Sequence, residues 1–364
     1  MTIAVHISHT DEQGSVFLQA CFSILVRQHH SHQFIFFKEK NQPAFLQENN
    51  ASFINISPAI KNNLLLHYWY NYKLPALLQK NNVVLFINDN AVTSLRSTVK
   101  QCMIIKDLEN IQHLLKPGTG RSYAKKFFPK FLSNANIICT SSLYLTDKIQ
   151  QYFPATAHRL HTINHGLSPH YKPISFDEKQ QVQDTCSNGL PYFYFEVTKA
   201  NAATILPLLK AFSQFKKWQR SSFRLLLLYK GKAPAEPVAD FKNYKYQEDV
   251  ILMAHGTPAE AARIMAASYA VIYLPAHYLT GFTGLHAMRC QVPLISSGED
   301  FCQSLFGDAA VYCKTVSDDI AKQMMIVYKD EGIYKSLVKK GTDLSEAYSW
   351  KNTADLLWNA CMPE

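Results

Sequence analysis

The stretch from Tyr269 to Ser297, YAVIYLPAHYLTGFTGLHAMRCQVPLISS, constrains the fold more than any other part of the chain. Ala270 to Leu274 is a short, almost wholly apolar run, which is typical of a strand buried on both faces of a parallel sheet. Thr283 to Cys290 has helical spacing, and Val292 to Ile295 forms a second buried strand. This order predicts a parallel α/β sheet, in which ligands bind at the carboxyl ends of the strands. The loop from Ala276 to Thr283 is therefore the first candidate for a site.

Four motifs follow one another in this stretch: Pro275-Ala276, Thr280-Gly281-Phe282-Thr283, Leu285-His286-Ala287-Met288 and Cys290-Gln291-Val292-Pro293. In this order they resemble the donor-site element of GT-B glycosyltransferases of the family 4 type. The resemblance implies an α/β fold of two Rossmann-like domains with a cleft between them. In that family two glutamates hold the donor sugar and the ribose. Thr280 (or Tyr278, without gaps) and His286 stand at those positions, and no acidic residue occurs between Tyr269 and Gly298.

A chain of 364 residues is long for one core and natural for two domains. We predict a first Rossmann-like domain on the acceptor side at residues 1–167 and a second on the donor side at residues 191–349. The polar segment 168–190, with two prolines and little apolar periodicity, is predicted to be the linker region. The helix at residues 350–364 resembles the terminal segment that crosses back to the first domain in GT-B proteins.

The donor side has lost charges that the family uses. The segment LLKAF at residues 208–212 is retained almost unchanged, and counting back from it places Glu196-Val197 where the family has Val-Gly. Ala202-Ala203 replaces the Arg-Lys pair that neutralises the diphosphate. Glu196 would add negative charge if it pointed toward the phosphates, and Lys199 is the nearest remaining cation. The resemblance thus implies the following donor-binding candidates: Lys199, Lys230, Thr280, Gly281, Thr283 and His286.

The acceptor side is marked by weaker matches. Lys106-Asp107-Leu108 stands where the family often has His-Asp-Leu, and a lysine could hold a phosphate but is a general base only with a strongly lowered pKa. The turn around Gly14 and Ser15 and the His165 position complete the acceptor-side candidates. Catalytic candidates are Lys106, Asp107 and His286.

Charge and cysteine content set limits on partners and compartment. The net charge of +9 favours anionic partners or serves solubility alone. Eight scattered cysteines without a CxxC pair predict free, mostly buried thiols, no metal site and a cytoplasmic location. The start of the chain lacks a basic and apolar leader, and there is no run of 18 apolar residues. We therefore expect no signal peptide and no membrane span.

The helix predicted at Arg121 to Leu132 combines basic and aromatic side chains. One interpretation is a peripheral contact with an anionic membrane, since many family members act on lipid-linked acceptors. The favoured interpretation is a surface helix whose aromatic side faces the core.

Two functions remain open. By resemblance, the chain is a metal-free retaining glycosyltransferase, without a cofactor, which transfers a hexose from a nucleotide-sugar to a hydroxyl of a glycan or lipid-linked acceptor in surface polysaccharide or glycoconjugate synthesis. The alternative is an inactive GT-B protein that serves as a binding module or as the protein partner of an active transferase. A nucleic-acid-binding function lacks any recognisable module.

Overall fold

The computed structural model describes residues 1–7, 12–39, 45–60, 62–106, 123–275 and 281–362. The chain divides into two compact units. Unit 1 comprises residues 1–166 together with 348–364, and unit 2 comprises residues 167–347.

The described strands of unit 1 form a seven-stranded parallel sheet in the order β3-β2-β1-β4-β5-β6-β7. The strands are β1 Thr2–His6, β2 Gln33–Lys38, β3 Ala51–Asn55, β4 Val83–Asn88, β5 Lys100–Ile105, β6 Ile137–Thr140 and β7 Leu160–Thr162. The direction of sequence order reverses between β1 and β4, which is where open α/β sheets bind ligands.

The described helices of unit 1 are α1 Glu12–Gln28, α2 Asn63–Tyr68, α3 Leu74–Lys80, α4 Tyr123–Asn134, α5 Leu143–Tyr152 and the terminal helix α13 Trp350–Cys361. A π-helical turn, Trp69–Lys73, joins α2 directly to α3. The aromatic helix predicted between residues 67 and 78 is therefore present, but its middle is wound more widely than an α-helix.

Unit 2 contains a six-stranded parallel sheet in the order β10-β9-β8-β11-β12-β13. The strands are β8 Tyr192–Val197, β9 Arg224–Lys230, β10 Val250–His255, β11 Ala270–Tyr273, β12 Leu294–Ser297 and β13 Ala310–Cys313. The described helices are α6 Phe176–Ser187, α7 Ile205–Gln219, α8 Pro258–Ala266, α9 Phe282–Arg289, α10 Asp300–Phe306, α11 Ser317–Lys329 and α12 Glu331–Glu346. Two parallel α/β units confirm the predicted fold class.

The packing of the two cores explains why the strands of each sheet are apolar runs in the sequence. Ile3, Val5, Leu85 and other strand residues of unit 1 pack against α1, and α13 adds Leu357 and further apolar side chains to the same cluster. In unit 2 the strand side chains pack against α7 and α11. The terminal helix therefore contributes to the core of the first unit although it lies at the other end of the chain.

The segment predicted as a linker region is more ordered than its composition indicated. It contains α6, which starts at a capping box between Ser175 and Glu178 and belongs to unit 2. Gln183 on this helix donates a hydrogen bond to the carbonyl of Ala267 at 2.9 Å. Few apolar residues are needed because polar side chains supply the cap and the contact with α8.

Candidate functional site

The carboxyl end of β8 leads into a turn whose backbone is hydrogen-bonded to the side chain of Asn201. The backbone N–H of Thr198 donates to Asn201 Oδ1 at 2.7 Å. Asn201 Nδ2 donates to the carbonyl of Glu196 at 2.9 Å. This places a polar loop, held by an asparagine, at the edge of the sheet where the family has its glycine.

Glu196 points from this strand end to the start of α9. The Thr283 hydroxyl, in the first turn of α9, donates to Glu196 Oε2 at 3.0 Å. Burial raises the pKa of Glu196, and the Thr283 hydrogen bond and the attraction of His255 lower it by less. The site thus has a part-buried carboxyl group that is easier to protonate than an ordinary glutamate.

The start of α9 requires glycine. Gly281 has φ +70°, in the left-handed region, and a Cβ at this position would come within 2.1 Å of Leu305 Cδ2. Phe282 then begins the helix. The first N–H groups of a helix lack intrahelical acceptors, so a helix start at the carboxyl edge of a sheet is suited to anions.

His286 lies one turn further along α9 and is covered by an aromatic ring. The Tyr171 ring stacks on the His286 ring with centroids 3.6 Å apart and planes 3° apart. Burial raises the pKa of Tyr171, as do the nearby Glu196 and Cys290. Tyr171 comes from the segment before α6, so that segment takes part in the donor-side surroundings.

His255 ends β10 and brings a second buried polar group to this edge. Its Nδ1 lies 3.2 Å from the carbonyl of Thr257, and because a carbonyl only accepts, this nitrogen is the donor. Nε2 is buried and has no hydrogen-bond partner among the described residues. In the neutral ring this nitrogen is an acceptor.

The lysines expected to face the donor are exposed. Lys199 follows β8 and Lys230 ends β9, both at the carboxyl edge. Ala202 and Ala203 form an exposed 3-10 turn without charge. Positive charge at this sheet edge is therefore supplied by exposed lysines instead of the family's Arg-Lys pair.

In unit 1, Lys106 follows β5 and forms an ion pair. Its Nζ lies 2.9 Å from Asp89 Oδ2, and the side chains are 14% and 0% exposed. A buried carboxylate removed from its cation would be strongly destabilised, so this pair holds Lys106 in place. The ion pair thus fixes the position of the Lys106 side chain at the end of β5, and its catalytic role stays a prediction.

Tyr70, on the π-helical turn, organises the polar residues at the ends of β1 and β4. Its oxygen accepts from Asn88 Nδ2 at 3.0 Å and from Asn90 Nδ2 at 2.8 Å. Its own proton therefore goes to His6 Nδ1, at 2.6 Å. Burial lowers the pKa of His6 to about 3, so the ring is neutral and carries its proton on Nε2.

The remaining acceptor-side candidates occupy other environments. Gly14 and Ser15 lie inside α1, which begins at Glu12, so the prediction of a loop there is wrong. The His165 ring packs at a tilt against the rings of Phe17 and Trp350, and its Nδ1 lies 2.7 Å from the carbonyl of Gly166. His165 therefore packs against the start of α13.

Asp107, Tyr278 and Thr280 lie outside the described residues.

The part of the chain that the structure describes contains no group of three or more metal-ligating side chains arranged for a metal ion. In the same residues no helix is both long and apolar enough to cross a membrane.

Sequence reasoning named Glu196 only as a replacement and did not assign it to the site. Its contact with Thr283 joins positions 87 residues apart in the sequence. His255 and Tyr171 were not singled out at all. For His255 a signal was present in the sequence: a histidine at the end of an apolar strand is expected at the carboxyl edge of a parallel sheet.

Two parallel α/β units, each with its polar groups at the carboxyl ends of the strands, define the GT-B fold. Solved structures with this fold match over the whole chain. A glycosyltransferase from Rickettsia africae is 11% identical, with a TM-score of 0.70 over 100% of this chain and 99% of that chain. WaaG, a glycosyltransferase involved in lipopolysaccharide biosynthesis, is 9% identical, with a TM-score of 0.69 over 100% of both chains.

Anabaena HepE in complex with UDP is 13% identical, with a TM-score of 0.68 over 98% of both chains. HepE has also been solved in complex with UDP-glucose. No protein-family model and no curated protein matches the chain. At these identities the similarity establishes the fold.

Proposed function

We propose that this protein is a glycosyltransferase that binds a nucleotide-sugar at the carboxyl edge of unit 2. It transfers the hexose, with retention and without a metal or other cofactor, to a hydroxyl of a glycan or lipid-linked acceptor. The product belongs to surface polysaccharide or glycoconjugate synthesis. The protein acts in the cytoplasm, where its free thiols stay reduced.

The observation that carries this proposal is the part-buried carboxyl group of Glu196, which accepts a hydrogen bond from Thr283 at the start of α9. The family's two glutamates are missing, and Glu196 supplies an acidic group from another strand. A carboxylate accepts hydrogen bonds from sugar hydroxyls, and the protonated form donates one. Its raised pKa makes the neutral form more accessible, which reduces repulsion of the donor diphosphate.

The neighbouring groups have complementary roles in the proposal. Lys199 and Lys230 offset the charge of the departing diphosphate, and Gly281 fixes the start of α9 beside it. His286, held flat against Tyr171, takes the place of the glutamate at the ribose. On the acceptor side, the ammonium of Lys106 holds an anionic group of the acceptor, beside Asp107.

A second candidate function is a GT-B binding module or partner subunit without turnover. The uncharged Ala202-Ala203 turn favours it, because the departing diphosphate loses roughly 2–4 kcal/mol of stabilisation with each missing charged contact. Binding and turnover must therefore be measured separately.

The experiment is calorimetric titration with UDP-hexoses and GDP-hexoses at about pH 4 and about pH 8, below and well above the ordinary pKa of a glutamate. A nucleotide-sugar has no group that titrates in this range, so a change in affinity reports on the protein. We expect affinity for one donor to fall roughly 10-fold at the higher pH, as Glu196 ionises. In Glu196→Gln the affinity should be the same at both values.

Lys199→Ala and Lys217→Ala form a matched pair of exposed lysines, one at the carboxyl edge and one on α7. Only the first should weaken donor binding. Donor consumption with an added glycan acceptor then separates the two functions. Binding with turnover supports the transferase, binding without turnover supports the binding module, and absence of any nucleotide binding contradicts the donor site.

A further inference from the structure

One exposed face of unit 1 combines apolar, aromatic and basic side chains. We define this aromatic–basic face by its members on three parts of unit 1: Leu64, Tyr68 and Tyr72 on α2 and the π-helical turn, Arg96 in the loop between β4 and β5, and Lys126, Phe127 and Lys130 on α4. Leu64 is 82% exposed, Tyr68 41% and Tyr72 46%. The helices α2 and α4 pack against each other, so the two groups are neighbours on one unit.

The rings on this face are ordered side by side. Tyr68 and Tyr72 stack with ring centroids 5.9 Å apart and planes 20° apart. The Arg96 guanidinium lies 4.2 Å from the centre of the Tyr72 ring. On α4, the ammonium groups of Lys126 and Lys130 lie 5.7 Å and 5.5 Å from the centre of the Phe127 ring. Cations thus lie near an exposed ring, Tyr72, on one side of the face and near a part-buried ring, Phe127, on the other.

The inner side of the same helices is occupied by the core. Phe128 and Phe131 of α4 are buried, as are Trp69 and Tyr70 of the π-helical turn. The aromatic side of α4 therefore packs inward, as the sequence indicated, and the exposed apolar groups come mainly from the neighbouring α2. The exposed residues are not needed to complete the core.

The charge of the face has a single sign. Segments 61–80 and 121–134 contain no acidic residue, while Lys73, Lys80, Lys126 and Lys130 are exposed on them. A second copy of the chain would place this face against itself in a two-fold dimer and bring like charges together. Aromatic rings and a protruding leucine among lysines are the side chains that enter the interfacial region of an anionic bilayer.

We propose that the aromatic–basic face docks unit 1 on an anionic lipid surface. Leu64 and the two tyrosines enter the headgroup region, and the surrounding lysines and Arg96 contact the lipid phosphates. This proposal does not depend on the nature of the donor site in unit 2. It makes the protein peripheral, bound by one face of one unit.

The test is co-sedimentation of the full-length protein with vesicles of equal parts phosphatidylcholine and phosphatidylglycerol, and with vesicles of phosphatidylcholine alone. We expect binding to the anionic vesicles, at least about 10-fold weaker binding to the neutral ones, and loss of binding at high salt. Equal binding to both kinds of vesicle, or none to either, would overturn the proposal.

Matched variants separate the face from general charge and apolarity. Leu64→Ser/Tyr68→Ser and Lys126→Glu/Lys130→Glu should each weaken binding about 10-fold or more. Phe176→Ser removes an equally exposed apolar side chain, 80% exposed, from unit 2 and should have no effect. Lys322→Glu/Lys339→Glu makes the same charge change on α11 and α12 and should matter much less.

Circular dichroism melts establish that each variant is folded. Light scattering measures the mass of each protein without lipid. If the wild type is a dimer that the Leu64→Ser/Tyr68→Ser variant makes monomeric while vesicle binding is unchanged, the face binds a second copy and the lipid proposal is wrong.

Discussion

At the scale of single residues, Glu196 makes the stability of the folded chain depend on pH. Its carboxyl group is part-buried at the end of β8 and accepts a hydrogen bond from the Thr283 hydroxyl at 3.0 Å. Burial raises its pKa, so the folded chain holds this proton more tightly than the unfolded chain does. The stability that this proton contributes is fully present below the unfolded pKa of about 4.3 and is lost as the pH rises through the folded pKa.

Replacement of Glu196 by glutamine removes this titration. We expect Glu196→Gln to gain stability relative to the wild type as the pH rises, measured by urea unfolding of both proteins between about pH 4 and about pH 8. Glu178→Gln is the control of opposite sign, because hydrogen bonds from Ser175 lower the pKa of Glu178. The wild-type advantage over that variant should shrink as the pH falls. A Glu196→Gln difference that does not change with pH would contradict the assignment.

Substitutions at Gly281 and Gly231 distinguish the cost of backbone strain from the cost of a steric clash. Both have positive φ, at +70° and +85°, but a Cβ would strike Leu305 only at Gly281 and meets nothing within 4 Å at Gly231. Gly231→Ala should therefore cost about 1 kcal/mol, the left-handed penalty alone. Gly281→Ala should cost roughly 3 kcal/mol or more, since side chains must also move. Denaturant unfolding measures both, and equal losses would show that the Leu305 contact does not limit this turn.

At the scale of elements, α13 is fastened to unit 1 by complementary contacts at both ends. Trp350 lies over Gly166, where a Cβ would come within 2.4 Å of the indole ring. Lys100 Nζ donates to the carbonyl of Cys361 at 3.0 Å. The Cys361 side chain lies in the same buried core cluster as those of Cys21, Cys102 and Cys139. The four thiols belong to four elements that only the folded chain brings together.

These thiols should be unreactive while the chain is folded. Burial raises the pKa of Cys21, and hydrogen bonding to Cys139 and Cys361 with burial raises that of Cys102. Of the eight cysteines, Cys186 is the one that is not fully buried. Titration with Ellman's reagent should label Cys186 first and the others about 100-fold more slowly, through unfolding. Fast labelling that persists in Cys186→Ala would contradict this arrangement.

Much of the element order could be predicted from the sequence, for a definite reason. In a parallel sheet covered on both faces, strands such as β9 and β11 are continuous apolar runs, and these are visible without any knowledge of contacts. The π-helical turn was not predictable, because Trp69–Lys73 has the composition of an ordinary aromatic helix. The helix α6 was missed because it has little apolar periodicity. Its capping box and polar contacts stabilise it instead.

The candidate site was less predictable than the fold. Gly281, Thr283 and His286 could be named because they follow one another on one loop and helix. The contact of Glu196 with Thr283 and the stacking of Tyr171 on His286 join residues far apart in the chain, and no local pattern encodes them. The proposed role of Glu196 therefore depends on a tertiary contact and not on a sequence motif.

At the scale of the whole molecule, the chain order of the two units has a consequence for folding. Unit 2 is one continuous segment, residues 167–347, whereas unit 1 needs residues 1–166 and 348–364 together. The terminal segment supplies Ala354, Leu357 and Cys361 to the same core as β1, β4 and α1. During synthesis, the first unit is therefore complete only after residues 348–364 have been added, while the second unit can fold before them.

Fragments test this order directly. The 167–347 fragment should show a near-UV circular dichroism signal and a cooperative thermal transition, because its core is continuous in sequence. The 1–166 fragment lacks the α13 side chains of its core and should show neither, since loss of a buried leucine alone costs roughly 2–5 kcal/mol. Addition of a peptide of residues 348–364 should restore both signals, whereas the same peptide with Leu357→Asp should not. A cooperative transition in the 1–166 fragment alone would mean that α13 covers a core already stable without it.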